Sequence, residues 1–106
     1  MNIRFVYMTA SGLEEAKRIG RELVAARLAA CVNILPQMNS VYVWEGKVEE
    51  AAEVVMIAKT TAERVPELTE RVKALHSYSC PCIVSLAVEG GYPPFLEWVA
   101  AGVNPE

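Results

Sequence analysis

Hydrophobic and polar positions along this chain trace one pattern twice. Val6–Leu35 reads VYMTASGLEEAKRIGRELVAARLAACVNIL, and Val54–Leu86 reads VVMIAKTTAERVPELTERVKALHSYSCPCIVSL. Each begins with a β-branched apolar run and passes a Thr- and Ser-rich joint. Each then carries a segment of helical period, crosses a Cys, and ends in a second apolar run. A doubled β-α-β in so short a chain predicts an α+β, ferredoxin-like βαββαβ sandwich, one sheet with two helices on one face. That fold hosts many unrelated activities, so it bounds the architecture and not the chemistry.

The individual elements follow from the same periodicity. Ile3–Thr9 is nearly continuous in apolar residues and reads as a central strand. Ser11-Gly12-Leu13-Glu14 has capping-box spacing, which starts a helix at Ser11. Leu13, Ala16, Ile19, Gly20, Leu23 and Arg27 fall on one stripe, and the helix is expected to end near Leu28. Cys31–Leu35 opens the second strand, Pro36 imposes a bend or bulge, and Ser40–Trp44 continues it. Glu45-Gly46 is a tight turn, and Lys47–Thr61 returns as the other arm of a long hairpin. A second helix over Ala62–Leu75 holds Pro66 in its first turn and buries Val65, Leu68, Val72 and Leu75. Ile83–Val88 is the fourth strand. Pro94–Ala101 forms a short C-terminal helix that Gly102 is expected to cap in the left-handed conformation.

In the 4-1-3-2 order of such a sheet, strands two and four are edges. The Val41-Tyr42-Val43-Trp44 arm is an apolar edge, and an edge of that kind left bare invites aggregation. The pattern therefore predicts a closed oligomer whose edges pair between subunits.

Composition narrows the setting. The 106 residues suit one domain, 1–106, with no linker or low-complexity tract. At 53% hydrophobic and 22% charged the chain is globular. Net charge is −3, and the ten Lys and Arg form no basic stripe, which argues against nucleic acid as a partner. No apolar run approaches the roughly 20 residues of a membrane span. The N-terminus has no convincing signal peptide, so a cytoplasmic location is expected. Three Cys, an odd number, then read as reduced thiols.

Candidate chemistry concentrates around those thiols. In Cys80-Pro81-Cys82, Pro81 favours extended backbone before it, and residues i and i+2 of extended chain share a face. Two sulfurs on one face suit a soft ion such as Cu(I); two small buried fillers at a strand entrance are the alternative. Cys31 and the Cys80/Cys82 pair occupy equivalent points of the two repeats, expected at one end of the sheet. His76, the single His, closes the second helix, where an imidazolium suits the helix dipole. It is otherwise a ligand or proton-handling group beside Tyr78 and Lys59. The candidate metal ligands are thus Cys31, His76, Cys80 and Cys82. Trp44, Lys59 and Tyr78 are candidates for a small-ligand cleft. Tyr42, Trp44, Glu45 and Lys47 crowd the hairpin tip and read as an inter-subunit clasp. The acidic run of Glu49, Glu50 and Glu53 reads as a solvated face.

Absences discriminate as well. No Gly-rich phosphate loop is present, and Met8–Gly12 holds no C-x-x-C of the copper-chaperone kind. All 13 acids are Glu, and one His offers no triad. No catalytic constellation is identifiable, and an enzyme is not expected.

Several segments together resemble the CutA family, linked by name to divalent-cation tolerance. They are Ala26-Arg27-Leu28-Ala29-Ala30-Cys31-Val32-Asn33-Ile34, Tyr42-Val43-Trp44-Glu45-Gly46-Lys47, Lys59-Thr60-Thr61, His76-Ser77-Tyr78, and Trp98. The resemblance covers nearly the whole chain. It implies a ferredoxin-like protomer, a tight homotrimer similar to the PII signalling proteins, and cytosolic placement. It also implies association with copper and other divalent metals, without an established catalytic activity. A PII-like role, binding a small metabolite or a protein at an inter-subunit cleft, is the other expectation. The chain departs from the family pattern where Ser77 stands in place of a Pro and Cys82 in place of a Glu.

Overall fold

The computed structural model describes residues 1–104, so the last two positions of the expected 1–106 domain lie outside the described residues. The chain runs β1 (Ile3–Ala10), α1 (Leu13–Ala25), β2 (Cys31–Trp44), β3 (Lys47–Thr61), a 3-10 turn (Ala62–Arg64), α2 (Val65–Leu75), β4 (Ile83–Ala87) and α3 (Pro93–Gly102). One sheet has the order β2-β3-β1-β4, and every neighbouring pair is antiparallel. This is the α+β arrangement the doubled pattern predicts.

Alternation along the central strands decides where the core lies. Val6, Met8 and Ala10 of β1 oppose Ala58, Met56 and Val54 of β3, and all six are buried. Ala16, Ile19 and Leu23 of α1 and Leu68 and Val72 of α2 complete that layer. Thr60 is buried in it with its hydroxyl donating to the Leu28 carbonyl at 2.7 Å, so the polar group carries no unmet bond. The opposite sheet face is only partly covered. Val84, Leu86 and Leu35 there are about half exposed, at 48%, 53% and 50%.

β2 and β3 outrun the sheet. β1 pairs β3 only over Val54–Thr61, so the remainder of the hairpin projects as a two-stranded arm. Its turn is Glu45-Gly46, with φ of 51° and 81°, a two-residue primed turn in which glycine avoids steric cost. Pro36 and Gln37 form a bulge: Leu35 opposes Val55 and Met38 opposes Glu53, so two residues stand against Val54. Gln37 takes φ 69° there. One inserted residue inverts the alternation. As a result Tyr42 and Trp44 share the open face with Leu35, while Val41 and Val43 point to the other side.

Several local expectations are corrected. α1 ends at Ala25 rather than near Leu28, because Arg27 adopts φ 59° and turns the chain; Arg27 is exposed and leaves the buried stripe. The helix begins one residue later than the spacing suggested, with Gly12 as N-cap. Glu15, not Glu14, reaches back to Ser11. Ala62–Arg64 is 3-10 before α2 begins. Gly102 is no left-handed cap. It is the last residue of α3, and a Cβ there would stand 2.9 Å from the Ala30 Cβ, so close packing requires the glycine.

β1 and β3 are antiparallel neighbours, so the two β-α-β units are related by a half-turn. Equivalent points of the repeats therefore fall at opposite ends of the sheet. Cys31 lies in the row of Lys59 and Phe5, whereas Cys82 precedes Ile83, which pairs with Met8. Three strand spacings of about 4.8 Å and three residues of about 3.3 Å place them more than roughly 15 Å apart.

Candidate functional site

The segment after α2 is anchored before it reaches any surface. His76 caps the helix with its own N–H on the Val72 carbonyl at 2.9 Å, then leaves it in extended conformation. Its ring is fully buried. The Tyr78 backbone N–H donates to Nδ1 at 3.0 Å, so Nε2 carries the proton and donates to the Thr9 carbonyl at 2.7 Å. Both ring nitrogens are thereby used, and neither faces a metal. Glu15 finishes the anchor. Its Oε2 accepts from the Ser77 N–H at 2.7 Å, and its Oε1 accepts from the Ser11 N–H and hydroxyl at 2.9 and 2.8 Å. Burial pushes this carboxyl up, but the bonds from Ser11 and Ser77 outweigh it and hold the pKa at about 2.

The segment so fixed forms one wall of a cleft of about 350 Å³, and the hairpin arm forms the other. Thr9, Tyr42, Trp44, Glu53, Tyr78, Ser79, Cys80 and Cys82 line it. Across it the Tyr78 hydroxyl donates to Glu53 Oε2 at 2.7 Å. Burial, and then the Glu53 carboxylate that accepts this bond, push the Tyr78 phenol well above its ordinary range. Burial, followed by the same carboxylate, also raises the Cys82 thiol, so it enters the cleft protonated.

The structure thus brings together Tyr42, Trp44, Tyr78, Cys80 and Cys82, from two segments far apart in sequence. It sets the other candidates elsewhere. His76 lies beneath the wall as an anchor. Lys59 belongs to the opposite end of the sheet, its Nζ 5.5 Å from the Phe5 ring centre and 5.4 Å from that of Phe95. Cys31 is in that same row. Glu45 forms the arm's turn and Lys47 follows it, both exposed. Glu53 is the residue that sequence reasoning missed by grouping it with a solvated acidic run. Its signal was the period of two: Glu53 shares parity with Val55 and Ile57, hence their face.

A bound metal must be tested against this donor set. Among the described residues no three His, Cys, Asp or Glu side chains gather where they would hold an ion. A divalent ion such as zinc wants about four ligands, more than the described residues gather at one point. Two thiols in one cleft suit a soft monovalent ion that accepts few ligands, and Cys80 and Cys82 supply them.

A family model described as "CutA1 divalent ion tolerance protein" matches residues 4–102. The chain is 50% identical over 95 residues to the divalent-cation tolerance protein CutA of Archaeoglobus fulgidus, covering 90% of this chain and 92% of that one. It is 45% identical over 98 residues to mouse protein CutA, covering 92% of this chain and 55% of the mouse protein, so it spans about half of that relative. A solved structure of an Archaeoglobus fulgidus CutA, described as a periplasmic divalent cation tolerance protein, superposes with TM-score 0.93 at 47% identity. It covers 96% of this chain and 99% of that one.

Proposed function

Because the chain belongs to the CutA1 divalent ion tolerance family, we propose that it is a cytosolic homotrimer that captures copper as Cu(I) on Cys80 and Cys82. The observation that carries this reading is the position of both thiols on one cleft, with the neutral Cys82 and the more exposed Cys80 on a pinned loop. Cys80 and Cys82 would hold the ion as thiolates, with their protons released to solvent. The loop, held through His76 and Glu15, keeps the sulfurs in place. Three free cysteines suit a reducing compartment. Among the described residues no helix is long and apolar enough to cross a membrane.

The trimer reading rests on unfilled apolar surface: Leu35, Val84 and Leu86 on the open sheet face, and Val41, Val43 and Val48 on the outer side of the arm. At the arm tip Glu45 and Lys47 remain for the proposed clasp, because Tyr42 and Trp44 line the cleft within one chain. Sedimentation equilibrium at micromolar concentration is expected to give three times the 11.6 kDa chain mass; a monodisperse monomer contradicts it.

Anaerobic titration of the reduced, metal-free protein with Cu(I) against a competing chelator tests the site. Replacing Cys80 and Cys82 together with Ser is expected to weaken binding at least about tenfold, or roughly 1.4 kcal/mol. Unchanged affinity removes the thiols from the account.

A second reading has its own support. The cleft has the size of a small-molecule pocket and aromatic walls. On this reading the protein is a PII-like module that binds a small metabolite, and the cleft lies within one chain rather than only between subunits.

A further inference from the structure

We propose that the cleft between the arm and the 78–82 segment binds a small organic cation, an alkylated ammonium group. This rests on the second reading above and specifies its ligand. Tyr42, Trp44 and Tyr78 supply three ring systems to one space, and among the described residues Glu53 is the only charged side chain that lines it. Tyr78 donates to one Glu53 oxygen, Oε2, which uses only part of that carboxylate's accepting capacity. Among the described residues no Lys or Arg lines the cavity; on the arm Lys47 stands opposite Trp44 and Glu49 opposite Tyr42, both exposed and outside the lining. Aromatic faces present negative potential, and a cation above them gains most when it sheds little hydration.

The same features decide against other ligands. An anion meets Glu53 with nothing to neutralise it. A bare hard ion must exchange its water for protein oxygens, and among the described residues no cluster of three such ligands exists. A volume of about 350 Å³ is large for an ion and fits a ligand of a few carbon atoms. Trp44 and Tyr42 are 51% and 43% exposed, so their rings are reachable yet already aligned on one face by the bulge at Pro36 and Gln37.

Calorimetry with three probes of one shape tests the charge preference in the presence of a chelator at fixed ionic strength. They are choline, its uncharged isostere 3,3-dimethylbutan-1-ol, and the anion 3,3-dimethylbutanoate. Choline is expected to saturate one site per chain and to bind at least about tenfold more tightly than either of the others. Glu53→Gln, which keeps an acceptor for Tyr78, is expected to weaken choline about tenfold and leave the alcohol unchanged. Trp44→Leu is expected to weaken both. If the alcohol or the anion binds as well as choline, or Glu53→Gln changes nothing, the cation assignment fails and the cleft reading stands. If none of the three saturates, the cleft reading fails with it.

Discussion

Glu15 shows how a single side chain governs this molecule. Its carboxylate joins the start of α1 to the segment after α2, through Ser11 on one oxygen and Ser77 on the other. The bond from Ser77 needs a backbone N–H, which a Pro at this position would lack. Folding lowers the carboxyl from its ordinary 4.5 to about 2. The unfolded chain therefore takes up the proton first as acid is added. The stabilisation is complete above pH 4.5 and drains away as pH falls toward 2. Glu15→Gln is expected to cost roughly 2 kcal/mol at pH 7, with the two proteins converging near the lower limit. Urea unfolding across that pH range reads this directly; parallel curves for the two proteins contradict it. Only the Ser11 contact, four residues away, was within reach of local sequence. Ser77 lies 62 residues from Glu15, and Thr9 lies 67 from His76, so only the tertiary structure pairs them.

At the scale of elements, the bulge in β2 has the widest consequence. Without its extra residue, Tyr42 and Trp44 would turn to the side where Val41 and Val43 now sit, and the cleft would lose both rings. Deleting Gln37 is expected to expose Trp44 fully and shift its fluorescence to the red, read in a Trp98→Phe background so that a single Trp reports. An unchanged spectrum contradicts the phase argument. Strands were legible in the sequence because alternation and β-branching are local signals, and Pro36 announced the bulge. Helix ends were less so. Arg27 at positive φ carries no glycine to mark it, and the glycine at 102 answers a contact with Ala30, which no periodicity reports. The shared end expected for the cysteines failed for a topological reason. Repeats whose leading strands are antiparallel neighbours map equivalent points to opposite ends.

For the whole molecule, the arm dominates the shape. The chain measures 45 × 25 × 22 Å with a radius of gyration of 14.3 Å, against about 13 Å for a compact domain of this length. The arm carries apolar side chains on both faces, and the two faces have separate uses. Tyr42 and Trp44 line the cleft, while Val41, Val43 and Val48 lie exposed on the other face. The candidate site was half legible: its thiols and rings were named from sequence, while Glu53 and the exclusion of Lys59 needed the register of β3. On the proposed reading the two thiols of the 80–82 segment hold copper. Copper K-edge X-ray absorption of protein loaded with one equivalent of Cu(I) tests it most directly. Two sulfurs are expected to dominate the copper coordination, and to be lost in the Cys80→Ser, Cys82→Ser variant. A shell of nitrogen and oxygen alone, unchanged in that variant, would contradict it.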